Sequence, residues 1–211
     1  MAAIRSIDLR DYKQTLSTNH EKKTKYGEIF TPFSLIADML AMLPERCFAD
    51  PNAKWLDPGS GTGFFSMYLY WKLDAGLTEA FPDQKQRHHH IIADMMYMVE
   101  IQEDNINVLK HLFGCDANII HANFIDNEIE LPIFDYVIGN PPYNGNGAKK
   151  VPTNAKQSKK NDGSTIWIPF VKRSISLLKP QGSLLVIVPS IWMKPDRAKT
   201  YNYLMNHKIH K

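Results

Sequence analysis

Asn140-Pro141-Pro142-Tyr143 closes the apolar run Phe134-Asp135-Tyr136-Val137-Ile138-Gly139, and these four residues could handle a planar amine. The Asn140 side-chain oxygen and the Pro141 carbonyl are two acceptors on a backbone held by the fixed φ angles of two prolines. Tyr143 adds an aromatic ring one step further on. Two convergent acceptors beside an aromatic face suit a flat group bearing an NH2, such as the exocyclic amine of adenine. That amine is a poor nucleophile because its lone pair is delocalised into the ring. Accepting both its protons in a fixed, partly desolvated geometry draws the lone pair back onto nitrogen, and stacking on Tyr143 holds the base in line for attack. The same residues would also make an ordinary surface turn, since Asn and Pro are good turn formers, so their company must decide.

That company includes two acidic strand ends. Lys54-Trp55-Leu56-Asp57 reads as a strand opening on Pro58-Gly59-Ser60-Gly61-Thr62-Gly63, followed by Phe64, Phe65, Met67, Tyr68, Leu69 and Trp71 at helical spacing. Strand, glycine-rich turn and helix in this order let a cofactor lie against bare backbone at a helix start. Met95-Met96-Tyr97-Met98-Val99-Glu100 is a second apolar run ending in a carboxylate, which could accept hydrogen bonds from both ribose hydroxyls of such a cofactor. Gly63 and Glu100 are 37 residues apart, against about 20 in the dinucleotide-binding fingerprint. The excess lies in Asp74 to Arg87, which reads as a polar loop. His88-His89-His90 then reads as an exposed helix start and not as a metal site, because adjacent residues point in different directions and no Cys or carboxylate has ligand spacing.

The remaining chain supplies the elements that must position these groups. Thr31 is a good N-cap and Pro32 a good first helical residue, so Tyr26-Gly27-Glu28-Ile29-Phe30-Thr31-Pro32 leads into a helix expected from Pro32 to Leu43. The positive end of that helix is a plausible seat for a carboxylate. Ile106, Val108, Leu109, Leu112 and Phe113 mark a helix ended by Gly114. A third strand, Asn118-Ile119-Ile120-His121, carries Ala122-Asn123-Phe124 at its tip, next to that of Glu100. The strand ending at Asn140 returns to the other side of the glycine strand, across the crevice. A helical pattern over residues 166–178, a turn at Lys179-Pro180-Gln181-Gly182, a fifth buried strand over Ser183 to Pro189 and a helix over residues 196–211 complete the reading. Residues 1–25 read as a polar N-terminal arm and residues 26–211 as one domain. Within it, residues 144–163 form a mobile loop holding Lys149, Lys150, Lys156, Lys159 and Lys160 against the single acid Asp162, well placed to meet phosphates.

Composition sets the outer limits. The 211 residues suffice for one well-buried domain, and 44% hydrophobic with 22% charged residues is ordinary for a globular protein. No apolar run approaches the roughly 20 residues of a membrane span, and the polar first 28 residues lack a secretory apolar core. The expected location is therefore cytoplasmic, with no membrane partner. Cys47 and Cys115 indicate neither a disulfide framework nor a zinc site.

The ordered set of Tyr26 to Pro32, Leu56 to Gly63, Glu100 and Asn140 to Tyr143 resembles the S-adenosylmethionine-dependent N6-adenine DNA methyltransferases of the gamma arrangement, which serve restriction-modification. The resemblance runs from about Tyr26 to Met193. It implies an α/β, Rossmann-like methyltransferase fold, a mostly parallel sheet with helices on both faces, and S-adenosyl-L-methionine as cofactor. By resemblance, Phe30, Thr31 and Pro32 lie beside the methionine end of the cofactor. Asp57, Pro58, Gly59, Ser60, Gly61 and Gly63 line its methionine and ribose, Glu100 holds the ribose hydroxyls, and Ile101 and Phe124 flank its adenine. Asn123 stands where such enzymes often carry Asp; it can accept a hydrogen bond, but without a charge. Asn140, Pro141, Pro142 and Tyr143 would engage an adenine flipped out of DNA, and Asn140 would also border the cofactor. Family members continue into further strands and a target-recognition region, for which Lys211 comes too early. The expectation is a fragment, a separate recognition subunit or a chain without activity. RNA adenine and a protein glutamine remain alternative acceptors, and a non-catalytic cofactor- or DNA-binding subunit is the rival outside catalysis.

Overall fold

A computed structural model describes Ile4 and residues 31–126, 128–143, 166–194 and 199–209. Phe30, the five lysines of residues 144–163 and most of the expected arm lie outside the described residues. Ile4 is itself buried in the main core, and its carbonyl accepts from Trp71 Nε1 at 3.3 Å.

In chain order the elements are α1 (Phe33–Leu40), β1 (Trp55–Asp57), α2 (Phe64–Gly76), α3 (Gln84–His90), β2 (Met96–Glu100), α4 (Glu103–Phe113), β3 (Asn118–His121), β4 (Phe134–Gly139), α5 (Trp167–Ser176), β5 (Leu178–Val186) and α6 (Thr200–Leu204). The five strands form one parallel sheet in the order β3-β2-β1-β4-β5. Strand order reverses between β1 and β4, so the chain leaves the two strands in opposite directions and opens a crevice at their carboxyl ends.

Side-chain alternation explains the burial on both faces. Trp55, Met96, Met98 and Ile138 point to one face, where they join Ile36 and Leu40 of α1, Met67 and Leu73 of α2, and Leu109 and Leu112 of α4. Leu56, Val99 and Val137 point to the other and meet Phe170 of α5, and Phe134 joins them because the strand is irregular between Phe134 and Tyr136. Helices thus cover both faces, as expected. Trp55 is stacked between Phe48 and Tyr136, with ring centroids 5.4 and 4.1 Å away.

Several expected boundaries move. Helix α1 ends at Leu40, and a 3-10 turn over Glu45–Phe48 follows. Pro32, not Thr31, occupies the N-cap position and makes no side-chain cap. The polar interval after Asp74 is ordered: α2 runs on to Gly76, and α3 starts at Gln84, capped by the Asp83 carboxylate, which accepts from Lys85 and Gln86 N–H. His88, His89 and His90 therefore end a helix instead of starting one, and a π turn over Ile91–Met95 feeds β2. The fifth strand includes the expected turn residues as an irregularity, with Gln181 at φ 67°, and it is half-buried because, among the described residues, only β4 pairs with it. The last helix is confined, among the described residues, to Thr200–Leu204. No described helix is long and apolar enough to cross a membrane.

Candidate active site

The glycine loop is tied down at both ends. Ser60 N–H donates to the Val99 carbonyl at 3.1 Å, fastening the loop to β2. Ser60 Oγ donates to the Asp57 carbonyl at 2.8 Å, and Gly63 N–H donates to the Ser60 carbonyl at 2.8 Å. Gly63 has φ 89°, and a Cβ there would lie 2.9 Å from Leu109 Cδ2, so only glycine lets α2 begin so close to α4.

Two buried carboxylates line the mouth. Glu100 Oε2 accepts from Gly61 N–H and Oε1 from Gln102 N–H, each at 2.8 Å. A carboxylate offers about four acceptor positions, so each Glu100 oxygen keeps a lone pair while the backbone fixes its direction. Asp57 Oδ2 accepts from Ser66 Oγ at 2.7 Å, whereas its buried Oδ1 has no hydrogen-bond partner. Burial, reinforced by the charge of Glu100, pushes the Asp57 carboxyl up to about 7 against the Ser66 hydrogen bond.

The Asn140 turn sits directly against this loop. A Cβ on Gly59 would be 3.7 Å from Pro142 Cδ, and one on Gly139 would be 3.6 Å from Pro58 Cδ. Asn140 Nδ2 donates to Thr31 Oγ1 at 3.2 Å, and its buried Oδ1 has no partner. Pro141 is buried, while Pro142 and Tyr143 are half-buried, and burial raises the Tyr143 hydroxyl pKa. The Tyr143 carbonyl accepts from Ile166 N–H at 3.1 Å.

Other expected site residues are spread along the β2 and β3 tips. Ile101 is 56% exposed beside Glu100. Asn123 is half-buried, and its Oδ1 accepts from Ile125 N–H at 3.4 Å. Phe124 is buried, with the Phe170 ring 5.2 Å away and the Arg173 guanidinium 5.3 Å over its face. The structure thus brings Thr31, Asp57, the glycine loop, Glu100 and the Asn140 turn to one end of the sheet. Phe124, after the β3 tip, is buried in the core cluster that holds Val99 and Phe170.

Two partners escape a reading of the sequence. Ser66 is the group that holds Asp57, and its signal is a lone hydroxyl in a first turn otherwise made of Phe64, Phe65 and Met67. Thr31 reaches Asn140 across 109 positions, which local spacing cannot reveal. Among the described residues no group of three His, Cys, Asp or Glu could hold a metal ion. Cys47 is buried, and burial pushes its thiol up to about 11.

Residues 64–211 match the Eco57I restriction-modification methylase family. The chain belongs to that family. It is 27% identical over 210 residues to the type II methyltransferase M.AccI of Acinetobacter calcoaceticus, covering 94% of this chain and 34% of that protein. It is 32% identical over 92 residues to a protein of Mycoplasma pneumoniae named as an uncharacterized adenine-specific methylase, covering 42% of this chain and 22% of that protein. The chain therefore spans at most about a third of the length of these curated relatives. The crystal structure of the M protein of the type I restriction enzyme EcoKI has a TM-score of 0.56 at 21% identity, over 79% of this chain and 35% of that one. This member of the Eco57I family thus has the Rossmann-like methyltransferase fold that its strand order describes.

Proposed function

We propose that this chain binds S-adenosylmethionine at the mouth of the glycine loop and is the catalytic part of an enzyme that methylates the N6 amine of adenine in DNA. The observation that carries this reading is the Asn140 amide: its nitrogen is engaged by Thr31, and its buried oxygen has no partner. An unsatisfied buried acceptor costs free energy on the order of 1–3 kcal/mol. A substrate donor that fills it offsets that cost.

The chain's residues fit the cofactor. Asp57 Oδ1 is an orphaned acceptor suited to a cationic amino group, and Glu100 retains two lone pairs for a ribose diol. When bound, S-adenosylmethionine supplies a methyl group made electrophilic by its sulfonium. Pro58, Gly59, Ser60, Gly61 and Gly63 line its methionine and ribose, Thr31 and Pro32 border its methionine end, and Ile101, Asn123 and Phe124 belong to its adenine side. Asn140 Oδ1 and the Pro141 carbonyl accept hydrogen bonds from the two N–H groups of the amine of a base extruded from the duplex, and Tyr143 stacks on that base. Family membership and the name of the Mycoplasma relative support adenine and restriction-modification as the context.

The test is methyl transfer from labelled cofactor to duplex DNA, RNA and a protein extract by the full natural chain with its natural partners. Labelled N6-methyladenine in DNA is expected, and Asn140→Ala should abolish it while leaving cofactor binding nearly intact. Label only in RNA or in protein glutamine would move the acceptor, and no label anywhere would leave a binding subunit.

A further inference from the structure

We infer that His121 is a positioning residue that aims the Glu100 carboxylate through the peptide joining Ile101 to Gln102, an inference that rests on the function proposed above. That peptide is planar, with its carbonyl and its N–H on opposite sides. Its N–H, from Gln102, donates to Glu100 Oε1 at 2.8 Å. Its carbonyl, from Ile101, accepts from His121 Nε2 at 3.0 Å. A backbone carbonyl can only accept, so this bond has one sense and Nε2 carries the proton.

The place of His121 at the end of the sheet shows why the contact matters. Glu100 and His121 are the last paired residues of β2 and β3, and Ala122 N–H donates to the Glu100 carbonyl at 3.0 Å. Beyond that bond the ladder stops, and Ile101 is 56% exposed. Without a partner for its carbonyl, the peptide after Ile101 is free to rotate and to carry the Gln102 N–H away from Glu100. Gln102 is the N-cap residue of α4 and makes no side-chain cap that would fix the turn from within. The His121 ring supplies the missing hold, from the side of the peptide opposite to Glu100. Glu100 Oε2 is held separately by Gly61 N–H at 2.8 Å. The carboxylate is therefore steered through Oε2 by the glycine loop and through Oε1 by β3, and hydrogen bonds in series across one peptide strengthen each other.

His121→Phe keeps a ring and removes the donor, whereas His121→Gln places an amide NH2 where Nε2 stood. In calorimetry on the full natural chain, His121→Phe should weaken S-adenosylhomocysteine on the order of 3- to 10-fold, the scale of one net hydrogen bond. It should weaken 5′-methylthioadenosine, which has the adenine and ribose without the amino acid, by the same factor. His121→Gln should restore most of the affinity for both. A second readout needs no ligand: the Gln102 amide should exchange with solvent on the order of 3- to 10-fold faster in His121→Phe and near the wild-type rate in His121→Gln. Unchanged affinity, a loss confined to S-adenosylhomocysteine, no rescue by Gln, or unmoved Gln102 exchange would each overturn the assignment. If the wild type binds neither ligand, the proposed cofactor site fails by itself, and the Gln102 exchange still decides whether His121 holds the peptide.

Discussion

A side-chain carbon placed on Gly139 would stand 3.0 Å from Asp57 Oδ1. The two residues end β4 and β1, adjacent strands on either side of the reversal in strand order. The strand that delivers Asn140 and the strand that opens the glycine loop thus leave no room for a side chain between their tips. Gly139 also has φ 153°, a conformation that L side chains rarely adopt. Gly139→Ala should cost about 1–3 kcal/mol of stability from backbone strain alone, read as a shifted urea midpoint. It should also weaken cofactor binding by pushing Asp57 aside. Wild-type stability together with wild-type affinity would show that the two tips tolerate separation.

The raised pKa of Asp57 gives a pH dependence with a definite sign. Its carboxyl moves from the ordinary 3.8 to about 7 in the folded chain, because burial penalises the charged form. The native state therefore holds this proton more tightly than the unfolded state. The stability that the proton confers is fully present below the unfolded pKa and is lost as pH rises through about 7. Asp57→Asn should flatten that decline in a set of denaturant curves between about pH 4 and 8. A cationic ligand beside Asp57 favours the charged form, so cofactor binding somewhat below the folded pKa of about 7 should release a proton. Calorimetry in buffers of different ionisation enthalpy reads that release; proton uptake would contradict the assignment.

Much of this site can be read from the chain because its motifs sit where strands end. Asp57, Gly59 to Gly63, Glu100 and Asn140 to Tyr143 each combine an apolar run with a local turn signal, and strand order then brings them together. The features that escape are long-range or aperiodic. Thr31 has the residue type of an N-cap, but Pro32 takes the cap position and the hydroxyl turns to Asn140. Residues 84–90 have no apolar periodicity, so α3 announces itself only through the Asp83 cap, and histidines that read as a helix start turn out to end one. The apolar run Ser183 to Pro189 reads as a buried strand, yet β5 is half-buried because, among the described residues, one neighbour, β4, pairs with it.

Glu100 offers a test of the cofactor side that is separate from the acceptor side. Its two oxygens each receive a backbone N–H, from Gly61 and from Gln102. Glu100→Gln replaces one acceptor with an NH2 that must face a backbone donor, so the loop end at Gly61 or the turn at Gln102 should move. A loss of one charge-assisted hydrogen bond, worth about 1.5–3 kcal/mol, corresponds to on the order of 10- to 100-fold in Kd for the cofactor. Single-turnover rates at saturating cofactor should change far less. A rate that collapses at saturation while Kd holds would transfer Glu100 from binding to chemistry.

Arg87 carries the last prediction, about the segment between α2 and α3. It is 7% exposed, and its Nε donates to Asp74 Oδ1 at 2.8 Å while Nη1 donates to the Phe81 and Pro82 carbonyls at 2.6 and 3.3 Å. One guanidinium thus clamps the end of α2 to the chain that leads into α3. This planar fork is what Lys cannot reproduce. Removing one member of a buried pair typically costs about 3–5 kcal/mol, but the Asp74 side chain is 25% exposed. We therefore expect Arg87→Ala to cost about 2–3 kcal/mol, with Arg87→Lys between it and the wild type. A double-mutant cycle with Asp74→Ala isolates the pair, and contacting residues of this kind couple by about 0.5–3 kcal/mol. Additive losses in the two single variants would mean that the carbonyl contacts, not the ion pair, hold this segment.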